Sequence, residues 1–215
     1  MVKAMKKLVL VGGGGHCKSV LDAALRSRIY SEIVITDPML PVGTRILDCR
    51  VVGNDDIIPQ LKNNGFTDAF ITVGSIKDTG LREQLAKVTV DRGFRIPVII
   101  DPSASVSEYA LIGEGTFVGK NAVINADAQI GTQCIINTGC IIEHECSVGD
   151  FTHISVGAIL CGNVQIGVGS FIGAGSTVIQ GIKIGKKAII GAGSTVLSNV
   201  GDNMKVYGAV TKRSL

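Results

Sequence analysis

Ala158-Ile159-Leu160-Cys161-Gly162-Asn163-Val164-Gln165-Ile166-Gly167-Val168-Gly169-Ser170-Phe171-Ile172-Gly173-Ala174-Gly175 decides the fold. In these three hexads the first position is small or compact (Ala158, Val164, Ser170) and the third is a branched aliphatic (Leu160, Ile166, Ile172). The register runs outward both ways without a break, from Ala104 to Leu197. Upstream the third positions are Val106, Ile112, Val118, Ile124, Ile130, Ile136, Ile142, Val148 and Ile154; downstream they are Val178, Ile184, Ile190 and Val196. A fixed short period dictates a repeat architecture. Side chains alternate faces along a strand, so positions 1 and 3 share a face and fill a narrow prism. Gly or Asn at position 4 is expected to supply the bend. Three hexads close one triangular coil, and sixteen hexads make about five coils stacked at roughly 4.8 Å each, about 25 Å in all. The reading is a parallel β-helix. A β-sandwich is the alternative, but its turns fall irregularly, at wider spacings.

Composition suits such a solenoid. The 215 residues include 28 Gly and no Trp, and the formal net charge of +3 is too small to argue for nucleic acid. No apolar run reaches bilayer-spanning length, and residues 1–7 lack the apolar segment of a signal peptide. Among six Cys, Cys134, Cys140 and Cys146 fill the small inward position of successive hexads. Cys17, Cys49 and Cys161 show no metal-ligand spacing. A reduced cytoplasmic protein is the expectation.

Three segments are expected: an α/β domain over residues 1–101, the β-helix over 102–200 and a tail over 201–215. Residues 7–11 read as a strand, followed by Gly12-Gly13-Gly14-Gly15-His16 and a helix over 19–29. Strand, glycine turn and helix N-terminus together favour an anion. A second strand over 33–36 ends in Asp37, which is spaced to reach a ribose hydroxyl. A short strand at 51–52, a helix over 55–64, a strand over 69–73 ending at Gly74, a helix over 78–91 and a strand over 97–100 complete a small Rossmann-like parallel sheet. The corner departs from the dinucleotide fingerprint, since Lys18 stands where the third glycine belongs. A tight turn without a ligand, or a nicotinamide oxidoreductase, are the rival readings. Nothing downstream resembles a dehydrogenase site.

The chain has three His, namely His16, His144 and His153. Sorting outward residues by every third hexad gives three faces. The first carries Phe117, Ile135, His153, Phe171 and Ile189. The second carries Ser105, Val123, Ile141, Ile159, Thr177 and Thr195. The third carries Leu111, Gln129, Ser147, Gln165 and Lys183. Two apolar outer faces imply an interface, most simply a homotrimer. His144 leaves the second face at a corner, and in a trimer that corner meets the His153 face of a neighbour. His144 beside Glu145 reads as a general base or as a surface His in an acidic turn. His153 reads as a site residue or as interface packing. Two β-helix His are too few for a three-His zinc site, so no metal is expected.

The hexads, together with Ile141-Ile142-Glu143-His144-Glu145-Cys146, Gly149-Asp150-Phe151-Thr152-His153-Ile154 and Gly162-Asn163-Val164, resemble the left-handed β-helix acetyltransferases of bacterial nucleotide sugars and sialic acid. The resemblance covers essentially the whole chain. It implies acetyl-CoA as acyl donor, His144 as catalytic base and Glu145 as the residue raising its basicity. It also implies contacts to CoA from His153, Ala174 and Ala192, and an oxyanion contact from the Gly162 amide. Gly14, Gly15, His16, Asp37, Pro38 and Gly74 match the region holding the nucleotide sugar. Family members often end in Gly-x-Pro-Ala-Lys, whereas this chain reads Gly208-Ala209-Val210-Thr211-Lys212-Arg213. The expected activity is N-acetylation of a nucleotide-linked amino sugar, a UDP-4-amino sugar favoured, by direct transfer. O-acetylation of a sialic acid, or a non-catalytic trimer that binds nucleotide sugars, are the alternatives.

Overall fold

The computed structural model describes residues 6–76 and 78–211, which divide into two compact units. One lies within Met1–Ser75 and Gly80–Pro102, the other within Ile76–Thr79 and Ser103–Leu215.

The first unit is a five-stranded sheet with helices. Its strands are β1 (Lys6–Val11), β2 (Tyr30–Thr36), β3 (Arg45–Ile46), β4 (Cys49–Gly53) and β5 (Asp68–Ile71), in the order β3-β4-β2-β1-β5. Leu8, Val9, Leu10 and Val11 of β1 are all buried, as a strand covered on both faces requires. β1 runs parallel to both β2 and β5, and Val11 pairs with Thr36 on one side and Ile71 on the other. Three strands therefore end side by side where the winding reverses, the place where open α/β sheets hold ligands. Helix α1 (Gly15–Ser27) buries Cys17, Val20, Leu21, Ala23 and Ala24. It begins four residues earlier than the apolar spacing predicts, directly on the glycines.

The other departures are local. The short antiparallel pairing of β3 with β4 is not signalled by the sequence, and it turns through Leu47 at φ +49°. The helix expected over 55–64 opens as a 3-10 turn, Asp55–Ile57, capped by the Asn54 side chain, before α2 (Ile58–Asn63). Helix α3 (Gly80–Asp91) follows β5, and the strand expected over 97–100 forms only as Ile99–Ile100 and is not a member of this five-stranded sheet.

The second unit is the β-helix. Residue n pairs in parallel with residue n+18: Phe117 with Ile135, Ile135 with His153, His153 with Phe171, and Phe171 with Ile189. Three hexads per coil follow directly. The three sheets hold the three sets of outward residues that the hexad count predicts. Inside, third-position side chains such as Ile136, Ile142, Ile154 and Ile172 are fully buried. Burying each contributes about 1.5–3 kcal/mol. First-position hydroxyls bond to backbone of the next coil: Thr116 donates to Gly131 O (2.8 Å), Ser170 to Gly185 O (2.7 Å) and Ser176 to Gly191 O (2.8 Å). These three buried hydroxyls are thus satisfied.

The bend differs from expectation. Left-handed residues fall at position 6, not position 4: Asn121, Asp127, Gln133, Glu145, Phe151, Asn163 and Lys187, with glycines such as Gly139 and Gly175. Glycine at position 4 answers to close approach instead. A Cβ on Gly167 would lie 2.5 Å from Lys186 N and 2.6 Å from the Gly185 carbonyl carbon. A Cβ on Gly139, at φ +68°, would meet nothing within 4 Å. Gly167→Ala must push two coils apart and is expected to cost about 1–3 kcal/mol. Gly139→Ala pays backbone strain alone, about 1 kcal/mol. Denaturant unfolding should therefore show the larger loss at Gly167; equal losses would contradict the close-approach account.

Two further expectations are corrected. The segment from Gly201, expected as a tail, continues the ladder: Lys205–Val206 pairs with Ile189–Ile190, and Ala209–Val210 with Thr195–Val196. Its breaks in hexad spacing hide this from a period count. Lys212 and Arg213 lie outside the described residues. On the first outer face, Phe117 and Ile135 are buried within the chain, while His153, Phe171 and Ile189 are part-exposed. Only the latter half of that face is open.

Candidate active site

In the first unit, the ends of β1, β2 and β5 enclose a cavity of about 360 Å³ lined by Gly12, Gly14, Gly15, His16, Asp37, Thr72, Val73 and Gly74. That size suits part of a small-molecule ligand. Five of the six residues expected to hold a nucleotide sugar meet there, and Pro38 is exposed and not part of the lining. Thr72 and Val73 escape the sequence reading because they look like the end of a strand. The α1 N-cap is Gly14, with no side-chain cap. Gly14 and Gly15 have open space where a Cβ would be.

Asp37 does more structural work than its spacing suggests. Its Oδ2 accepts from Gly13 N–H (2.7 Å), and its Oδ1 from Met39 N–H (2.8 Å) and Leu40 N–H (3.1 Å). Burial alone disfavours the charged form, but these three backbone donors outweigh it and hold the carboxyl below its usual range. The carboxylate ties the glycine turn to the turn after β2, and most of its acceptor capacity is spent there.

In the second unit, His144 and Glu145 sit on the corner between the second and third sheets. Glu145 adopts φ +60°, in the left-handed region of the hexad's sixth position. His144 Nδ1 lies 3.1 Å from Glu145 Oε2. A carboxylate only accepts, so the proton sits on Nδ1 and Nε2 is left as the basic atom. Both side chains are exposed, so the pair contributes well under about 1 kcal/mol to stability. Its value is orientation.

His153 lies on the first sheet. Its ring meets Phe171 edge-on at 5.1 Å, and its Nε2 is 3.3 Å from Asn137 Nδ2. Asn137 Oδ1 accepts from Thr138 N–H (2.8 Å), so Nδ2 is the donor and His153 Nε2 accepts. Asn137 and Phe171 are absent from the sequence-level site. Their neighbourhood with His153 appears only when hexads stack. Ala174 and Ala192 are exposed one coil apart on the corner between the first and second sheets, joined by Gly193 N–H to Ala174 O (2.8 Å). Within one chain this group and His144 are not brought together. A corner between the second and third sheets lies across the triangle from the first sheet.

Cys17 and Cys140 are poor nucleophiles. Burial pushes Cys17 up to about 11 and Cys140 up to about 12. The β-helix thus carries an imidazole held by a carboxylate, and the first unit a cavity at a helix N-terminus. Groups of these kinds are ones that acyl transfer to an amine or hydroxyl can use.

Comparison with known proteins agrees. The PglD N-terminal domain family matches residues 7–89. Bacterial transferase hexapeptide repeats match residues 109–144, and the hexapeptide repeat of succinyl-transferase matches 163–198. No curated protein sequence matches significantly. The acetyltransferase domain of PglB from Neisseria gonorrhoeae, solved with acetyl coenzyme A, is 34% identical with a TM-score of 0.89, covering 96% of this chain and 98% of that one. PerB from Caulobacter crescentus, solved with CoA and GDP-perosamine, is 36% identical with a TM-score of 0.85, covering 95% of each chain. A histidine-to-alanine variant of GDP-perosamine N-acetyltransferase from the same organism, in complex with CoA and GDP-perosamine, matches equally well. The chain belongs to the family of acetyl-CoA-dependent sugar acetyltransferases of the left-handed β-helix type that carry a PglD N-terminal domain.

Among the described residues, no helix is long and apolar enough to cross a membrane.

Proposed function

We propose that the protein transfers an acetyl group from acetyl-CoA to the amine of a nucleotide-linked amino sugar, with a UDP-4-amino sugar the favoured acceptor. The observation that carries this reading is the His144 ring, tied through Nδ1 to Glu145 with Nε2 left as the basic atom. The first unit holds the nucleotide at Gly14, Gly15, His16, Asp37, Pro38 and Gly74, with backbone N–H groups of the glycine turn and α1 facing its phosphates. The β-helix holds acetyl-CoA along His153, Ala174 and Ala192.

A free amine attacks only when neutral, so a base is of use near pH 7. The nitrogen lone pair adds to the thioester carbonyl while His144 Nε2 takes the amine proton. The carbonyl oxygen becomes an oxyanion, and the Gly162 N–H stabilises it. The flanking Cys161 and Asn163 N–H groups are spent on coil-to-coil bonds, to Val178 O and His144 O. Collapse breaks the C–S bond, and the leaving thiolate takes the proton from His144. Glu145 holds the imidazolium that forms in between.

The active form is a homotrimer. The His153 group and His144 lie on opposite sides of one prism, so a complete site takes them from two copies. The part-exposed Val123, Ile141 and Ile159 on the second face supply apolar surface for that packing. Six free, mostly buried thiols support a reducing cytoplasmic setting.

Thiol release from acetyl-CoA, assayed with UDP-, GDP- and dTDP-linked amino sugars and with free sialic acid, tests the reading. Turnover with one amino sugar is the expected outcome. Turnover with sialic acid alone would replace it with O-acetylation.

A further inference from the structure

Along the corner that carries His144, the fifth hexad position is filled in successive coils by Glu108, Ala126, His144, Gly162, Gln180 and Ser198. The single glycine is the residue one coil after the histidine. The backbone does not demand it, because Gly162 is not among the positive-φ residues. The position itself does not demand it either, because Ala126, Gln180 and Ser198 occupy the same corner. What fills the space is the imidazole. A Cβ built on Gly162 would lie 2.6 Å from His144 Cε1, 2.7 Å from Nε2 and 3.3 Å from Nδ1. Real carbon contacts are near 3.5–4.0 Å, so ring and methyl exclude each other. Gly162 is buried and the ring above it is exposed.

We propose that the missing side chain at Gly162 is a positioning device, a flat seat that lets the His144 ring lie against the next coil with Nδ1 on Glu145 and Nε2 fixed. The inference rests on the reading of His144 as the base, and it gives Gly162 a role that its amide alone does not. The ring is pinned from two directions. Glu145 sets its rotation from its own coil, and the bare Gly162 backbone sets its height from the next. A side chain at 162 removes the second constraint and swings the ring outward, where solvent accepts it at little cost to folding.

Gly162→Ala tests this directly. The backbone conformation suits alanine and the displaced ring is on the surface, so the unfolding midpoint should hardly move. A base displaced by about 1 Å loses roughly 10- to 100-fold in rate, and the loss should fall on kcat rather than on KM for either substrate. In a His144→Ala background the same change should cost nothing further, because the residue acts through the ring. Gln180→Ala, one coil on at the same corner, should leave kinetics unchanged. Full kcat in Gly162→Ala, with His144→Ala inactive, would overturn the seat. So would a raised KM, or an equal loss in both backgrounds, since either places the methyl against substrate instead. Full activity in His144→Ala would overturn the reading of the base beneath it.

Discussion

His144→Ala is expected to lower kcat by about 10²- to 10⁴-fold, the usual worth of a positioned general base, with KM for both substrates nearly unchanged. The side chain is exposed, and its contacts are Glu145 Oε2 and the face of Gly162. Its backbone carbonyl, which accepts from Asn163 N–H at 2.9 Å, survives the substitution. The prism therefore stays intact and the loss reports chemistry. Steady-state kinetics with circular dichroism as the folding control is the measurement. A fall of less than about tenfold would assign the proton to bulk solvent or to another group, since a tenfold change is only about 1.4 kcal/mol of barrier. Glu145→Gln should lose less, because an amide retains an acceptor for Nδ1–H but no charge to stabilise the imidazolium.

Mixing His144→Ala with His153→Ala chains is expected to restore activity that neither variant has alone. In a trimer whose sites take His144 from one copy and His153 from the next, a random equal mixture makes about one interface in four with both histidines intact. Recovery to about a quarter of the wild-type rate, after co-expression or after joint unfolding and refolding, follows from that count. No recovery from a mixture shown to contain mixed trimers would put both histidines in one chain. The geometry argues against that, because His144 lies on a corner between the second and third sheets and His153 on the first. Light scattering gives the assembly size independently, and a monomer would end the two-chain site.

The β-helix was legible in the sequence because its code is local. A small residue and a branched aliphatic two apart, repeated every six, satisfy strand alternation and prism width at once, and the n+18 pairing follows by counting. The three outer faces and the inward layer that Cys134, Cys140 and Cys146 make within one coil follow from the same count. The glycine turn, Asp37 and Gly74 were legible for a related reason: each sits directly after an apolar strand, and parallel strands place their ends on one edge. Position 4 glycine looks like a bend in sequence, because local sequence carries a residue's own φ and ψ preference but not the next coil, 2.5 Å from the missing Cβ of Gly167. The irregular last coil over 201–210 looks like a tail in sequence because it breaks the period while keeping the hydrogen bonds.

The period, the core, the three faces and the corner that carries His144 and Glu145 are readable from local pattern, since all of these depend on neighbours within a few positions. What depends on residues far apart in the chain becoming adjacent is readable from the fold alone. It showed that Asp37 spends its carboxylate on Gly13, Met39 and Leu40, that Asn137 and Phe171 hold His153, and that a glycine eighteen residues on makes room for the His144 ring. Those contacts are set by stacking, which brings side chains one coil apart to within van der Waals distance.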